Sequence, residues 1–324
     1  MSTVILTGNN RTITLDGSQD YRGPGIALTS IQGWYETPNP KVNTTSRNDG
    51  DGGHDINPQD ILYEARVITL GYRILAGTDR ALALSLLADL DRLVHGLVDC
   101  RVIDHGRDAY CAGGYYARSL DQKSQNPAWQ NITGSITLVY ERPELLSYRP
   151  HRFQLLASRA ADGATGVGLS YNQQGYITYW QGTPNASPSV MEIGTNRGRF
   201  GLAYPLAYSG SSDMGNVASQ SAGLLRNEGT SRAYPVFTCN GPFPNGVALD
   251  FPSLNASVEC AQPVYDVPLV LDCRARSATV GGLDVSRRLS RRGFPVVEPG
   301  GTLVVVLRTG GTGWVDCSIH DTYM

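Results

Sequence analysis

The chain has 324 residues, enough for two compact domains at roughly 100–200 residues each. Charged residues make up 17% of it, below the roughly 25% usual for soluble proteins, and 37 Gly, 18 Pro and 17 Tyr favour turns and strands over helices. The 27 basic and 29 acidic residues leave a net charge of −2, so no basic excess attracts phosphates and no sequence-specific nucleic-acid partner is expected. No stretch is apolar for long enough to cross a membrane as a helix, and Met1 to Gly8 lacks the basic flank and apolar run of a signal peptide.

In chain order, Thr12-Ile13-Thr14-Leu15 alternates as a strand, and Arg22-Gly23-Pro24-Gly25 reads as a turn. Residues 44–59 have no apolar periodicity and are expected to form an exposed loop. Glu64 to Ala76 is a long, β-branched strand. Thr78-Asp79 then supplies a helix N-cap, and Leu82, Leu86, Leu90 and Leu93 recur at helical spacing until Gly96, which predicts one amphipathic helix laid on a sheet. Strands follow over 97–103, 109–120 and 129–140, with a turn at Asp104-His105-Gly106-Arg107 between the first two. If His105-Gly106 is a two-residue hairpin turn, Cys100 and Cys111 fall opposite each other. The six cysteines show no C-x-x-C pair and no zinc spacing, so reduced buried thiols are expected, with a Cys100–Cys111 bond left open.

Pro143 closes a first, α+β unit near residue 150. Residues 151–228, rich in Gly, Ser, Asn and Ala with aromatic islands at 176–180 and 200–208, read as short strands with an extended arm or insertion. From 229 to 324 strand signals return, at 233–239, 257–260, 268–273, 278–280, 302–308 and 313–320, and predict a β-sandwich. The fold class expected is thus mainly β with one helix.

This succession of elements resembles the siphophage distal tail protein family. The resemblance rests on Asp49-Gly50-Asp51-Gly52-Gly53, the strand Ala65 to Gly71, the helix from Thr78 and the close at Tyr140-Glu141-Arg142-Pro143. In the second half it rests on Gly229 to Phe237, Leu269 to Arg276 and Phe294 to Leu303. It implies a ring-forming belt domain over 1–150, a galectin-like β-sandwich over 229–324, and a homo-hexameric ring joining tail tube to tail tip or baseplate. The implied neighbours are further copies of the chain, the tail tube protein, the tail hub or baseplate protein and the tape measure protein. The implied location is the virion tail tip, after synthesis in the bacterial cytoplasm. The low charge suits surfaces covered by neighbours. The region 151–228 is longer than the family's plain connection.

No catalytic residue, cofactor site or metal site is predicted, and the chain is read as a structural protein and not an enzyme. Asp49, Asp51 and Asp55 alternate as calcium ligands do, but His54 stands where an EF-hand needs glycine and Asp60 where it needs glutamate, so a solvated or subunit-contact loop is the better reading. Arg287-Arg288 and Arg291-Arg292 read as a solvated turn before a site for DNA or an acidic partner. Gly166-Val167-Gly168-Leu169-Ser170 lacks the dinucleotide spacing. Asp104 and His105 are neighbours in a turn, where side chains are expected to point apart, with no nucleophile evidently placed beside them. The competing function is a carbohydrate-binding adhesin of the tail tip, in which Tyr179, Trp180 or Trp314 would stack on a host saccharide.

Overall fold

The computed structural model describes residues 2–18, 20–42, 45–47, 51–53, 55, 57, 61–126, 131–157, 167–170, 178–179, 191–192, 201–204, 222–310 and 312–324. The chain forms two compact units, 1–149 with 323–324, and 150–322.

The first unit contains β1 (Ser2–Gly8), β2 (Arg11–Asp16), β3 (Gly25–Gln32), β4 (Arg66–Leu75), α1 (Arg80–Asp91), β5 (Val98–Asp104), β6 (Arg107–Leu120), β7 (Ile132–Tyr140) and β8 (Leu145–Ser147). Its strands run in the order β5-β1-β2-β3-β4-β7, and β6 closes the circle by pairing with β5 through its first half and with β7 through its second. The result is a closed seven-stranded barrel, which removes the free edges an open sheet would carry. β6 changes partner at Gly113-Gly114. Gly113 takes a positive φ of 71° at the irregularity opposite Val98, and a Cβ on Gly114 would run into the Tyr140 ring.

Alternation decides which side chains enter the barrel. Ile68, Leu70, Tyr72 and Ile74 on β4 meet Ile132, Ile136, Leu138 and Tyr140 on β7 in one buried cluster. Asp79 caps α1 by accepting from the Leu82 amide, and Ala83, Leu90 and the following Leu93 are buried in that cluster. Arg66 is also buried; its guanidinium donates to the carbonyls of Pro143 at 2.6 Å, Gly33 at 2.7 Å and Glu36 at 2.8 Å, tying two loop segments, one after β3 and one after β7, to β4.

The second unit begins with β9 (His151–Leu156). It continues through β10 (Val167–Ser170), β11 (Thr178–Tyr179), β12 (Met191–Glu192) and β13 (Gly201–Tyr204), where β10 pairs with β13 and β11 with β12. Next come β14 (Ala222–Arg226), β15 (Val236–Asn240), β16 (Val247–Phe251), β17 (Ala256–Cys260), β18 (Leu269–Asp272), β19 (Ser277–Val280), β20 (Leu283–Asp284), β21 (Leu289–Arg292), β22 (Thr302–Leu307) and β23 (Trp314–Ile319). β24 (Thr322–Tyr323) then brings the chain back to the first unit.

Two sheets, β14-β22-β16-β17-β21 and β20-β19-β18-β15-β23-β9, make a sandwich. Phe237 of one sheet stacks on Phe251 of the other with ring centroids 5.6 Å apart, and Leu155, Leu225, Leu249, Leu271 and Val305 complete the core. β9 and β14 lie within the stretch 151–228, yet both are sandwich strands. β16, built from the short run Val247-Ala248-Leu249-Asp250-Phe251, is a sandwich strand that sequence periodicity did not single out. All six cysteines are buried and free.

Candidate functional site

On the barrel, β6, β7 and β4 lie side by side, and their register aligns the outward residues in rows. Tyr115, Val139 and Val67 form one row, Ala117, Thr137 and Thr69 the next, and Ser119, Ser135 and Gly71 a third. Ser30 and Gln32 extend the last two rows onto β3. None of these residues is charged, and the first charge on this face of β4 is Arg73, in the next row opposite Thr133. Tyr115 is 56% and Val67 50% exposed. A solvent-facing antiparallel sheet ordinarily carries charge on its wet face, both for solubility and to prevent association. These rows of Thr, Ser, Ala, Val and Tyr lack that charge, and so lack the usual device by which an exposed β-surface resists association.

At the β5–β6 turn, His105 and Gly106 both adopt positive φ, the geometry of a two-residue hairpin that matches strand twist. This folds the His105 ring back, so its Nδ1 lies 2.8 Å from Asp104 Oδ1. The two side chains meet, contrary to the expectation that they point apart. Ser2 Oγ also donates to Asp104 Oδ1 at 2.6 Å, and the Tyr35 hydroxyl donates to Oδ2 at 2.7 Å. These hydrogen bonds, Ser2 first, hold the Asp104 carboxyl well below the usual carboxylate range. Partial burial and then the bond to Asp104 push the Tyr35 hydroxyl up to about 12. Ser2 donates to the carboxylate and not to His105, so the three groups do not have the order of a nucleophile, base and orienting acid. Cys100 and Cys111 do face each other across this hairpin, as buried free thiols.

In the second unit, His151 at the start of β9, Glu228 after β14 and Asp321 after β23 converge. Their ligand atoms all lie within 4.8 Å of one another. His151 Nε2 is 3.1 and 3.0 Å from the two oxygens of Asp321, and the Glu228 amide donates to Asp321 Oδ1 at 2.7 Å. No local pattern points to this group, because its members are dispersed over 170 positions.

Among the described residues, the other candidates singled out from sequence do not gather into a site. Asp51 and Asp55 are exposed, and Asp55 pairs with Arg47 at 2.9 Å; Asp49, His54 and Asp60 lie outside the described residues. Arg287 and Arg288 are exposed in a short 3-10 turn, and Arg291 and Arg292 on β21. Arg291 sits 3.4 Å from Glu259, and Arg292 donates to the Ser286 carbonyl. Trp314 lies on β23 and is partly exposed, Tyr179 lies on β11, and Trp180 is outside the described residues. Val167–Ser170 of the Gly-rich stretch is a strand, and Gly166 is outside the description. Among the described residues no helix is long and apolar enough to cross a membrane.

No protein-family model matches the chain, and no curated protein matches it in sequence. Solved structures do match its fold. Over 99% of both chains it superposes on the SPP1 Dit protein, described as a paradigm of the hub adsorption apparatus in phages infecting Gram-positive bacteria, with a TM-score of 0.53 at 8% identity. A chain of the phage P2 baseplate in its activated conformation with calcium is similar at a TM-score of 0.47 and 10% identity, over 99% of this chain and 98% of that one. A barrel followed by a sandwich, matched from end to end, is a phage tail-hub fold. In particular, the chain has the fold of the phage distal tail proteins.

Proposed function

We propose that the protein is a structural subunit of a long-tailed bacteriophage of the siphovirus type, the distal tail protein that forms a homo-hexameric ring between the tail tube and the tail tip or baseplate. The observation that carries this reading is the end-to-end fold correspondence with SPP1 Dit, covering 99% of each chain. The uncharged wall of β6, β7 and β4 supports it, since a ring needs a large contact surface on every copy and closes a heterologous interface on itself. In this reading residues 1–149 are the belt that makes the ring. The second unit, 150–322, carries the sandwich, which is galectin-like in the family, and the stretch of sequence between β9 and β14 is an insertion in it. The neighbours are the tail tube protein, the hub or baseplate protein and the tape measure protein. The protein is made in the host cytoplasm, works in the virion and has no enzymatic role.

The test is the mass of the purified full-length chain by light scattering, with negative-stain images of the same fraction. Six copies around an open lumen are expected. A double substitution, Ala117→Glu with Thr137→Glu, places two like charges side by side on the wall without touching the core, and is expected to yield folded monomers because like charges brought together at an interface cost several kcal/mol. A wild-type chain that stays monomeric at all concentrations and with its tube and hub partners present would overturn the proposal.

A further inference from the structure

The convergence of His151, Glu228 and Asp321 is built by residues that are not part of the trio. Asn227, 1% exposed, accepts from the amides of Gly229 at 3.0 Å and Thr322 at 3.3 Å through Oδ1. Its Nδ2 donates to the carbonyls of Ser231 at 2.7 Å, Val297 at 3.1 Å and Glu298 at 3.2 Å. The Ser231 amide in turn donates to the Thr322 carbonyl at 2.9 Å, and Gly229 packs so closely on Thr322 that a Cβ there would strike its backbone. The segments bearing Glu228 and Asp321 are thereby locked together. His151 is fixed independently, as the residue of β9 opposite Ile319 of β23.

The side chains carry the donor set of a first-row transition metal. One imidazole nitrogen and two carboxylates suit zinc, whereas calcium and magnesium favour all-oxygen sites. Asp321 is buried and held by the Glu228 amide, the kind of supporting hydrogen bond that orients a ligating carboxylate. His151 Nε2 faces both Asp321 oxygens at nearly equal distance, although a single N–H proton can be directed at only one of them. Zinc bonds of about 2.0–2.2 Å place neighbouring ligand atoms about 3.3–3.6 Å apart in a tetrahedral arrangement. The His151–Asp321 separation of 3.0 Å is close to that. Glu228, on the exposed side, has only to close in from within 4.8 Å.

We propose that His151, Glu228 and Asp321 form a divalent zinc-type site, with water completing the coordination, that pins together the two places where the chain enters and leaves its second unit. The chain enters that unit at Pro150 and leaves it after Thr322, so two of the ligands are each one residue inside a crossing. On binding, the ring is neutral with its one proton on Nδ1 and Nε2 turns its lone pair to the metal: an imidazolium releases its Nε2 proton to solvent, and a neutral ring protonated on Nε2 exchanges that proton through solvent for one on Nδ1.

The experiment uses the full-length chain, stripped with a chelator, desalted, and titrated with zinc chloride by calorimetry, with bound metal counted by elemental analysis. One zinc per chain is expected, together with a rise of a few degrees in melting temperature. Glu228→Gln changes only an exposed side chain and is expected to fold normally while weakening binding at least about tenfold. His151→Ala is expected to abolish the stoichiometric site. Cobalt in place of zinc gives a readout in the unmutated protein, a visible absorption band of low-symmetry coordination. Absence of zinc uptake, or uptake unchanged in both variants and therefore due to other surface histidines, would overturn the proposal. Assembly plays no part in the measurement, so its failure is distinct from failure of the ring.

Discussion

Asn227 has both of its polar side-chain atoms engaged while almost wholly out of solvent: the two hydrogens of Nδ2 are shared among three carbonyls, and Oδ1 accepts from two amides. Removing it strands the buried carbonyls and amides that it bridges. Asn227→Ala is therefore expected to destabilise the chain by about 3–5 kcal/mol, measured as a shift of the urea unfolding midpoint. Asp104 offers a titratable counterpart. Its folded-state pKa is depressed, so its contribution is fully present above the ordinary carboxylate value of about 4 and is lost as pH falls through the folded value. The stability gap between wild type and Asp104→Ala should be open at pH 7 and narrow on acidification. The Tyr35 hydroxyl runs the other way: raised to about 12, it contributes below about pH 10 and its contribution is lost as pH climbs through 12. A gap independent of pH would show that packing and not charge holds the turn. Little of this was legible in the sequence, because Ser2, Tyr35 and Asp104, like His151, Glu228 and Asp321, are brought together only by strand order.

Elements whose signals are local were legible. Asp79 caps α1 through the Leu82 amide as its position before the leucine stripe implies, and Asp79→Ala should cost about 1 kcal/mol of stability by the same urea assay. The hairpin at Asp104–Arg107 follows from turn chemistry, and the Cys100–Cys111 register follows from counting outward from it. What failed to show were features set by partners far away in the chain. β6 reads as a strand returning from a hairpin, but nothing local says that it exchanges β5 for β7 at Gly113-Gly114 and so closes a barrel. β2 and β3 pair in parallel, which an alternating pattern cannot distinguish from a meander. β9 pairs with β23 from Leu156↔Trp314 to His151↔Ile319, partners 158 to 168 positions apart, so its membership in the sandwich had no local signature.

For the molecule as a whole, the sandwich depends on pieces that a sequence reader would cut away. β9 adds the edge of the six-stranded sheet by pairing with β23, and β14 the edge of the five-stranded sheet by pairing with β22. Leu155 and Leu225, from these two strands, are buried in the core. A fragment spanning 229–324 therefore loses both, at roughly 1.5–3 kcal/mol for each buried side chain, and leaves β22 and β23 with bare hydrogen-bonding edges. That loss of about 3–6 kcal/mol is a large part of the 5–15 kcal/mol that a domain typically has. The fragment 229–324 is expected to aggregate or to unfold without a sharp transition. The fragment 150–322 keeps both strands and the Asn227 knot, and is expected to melt cooperatively as a monomer. Circular dichroism and light scattering on the two fragments separate the outcomes: if 229–324 melts as sharply as 150–322, the flanking strands are dispensable and the sandwich is held by its inner strands alone.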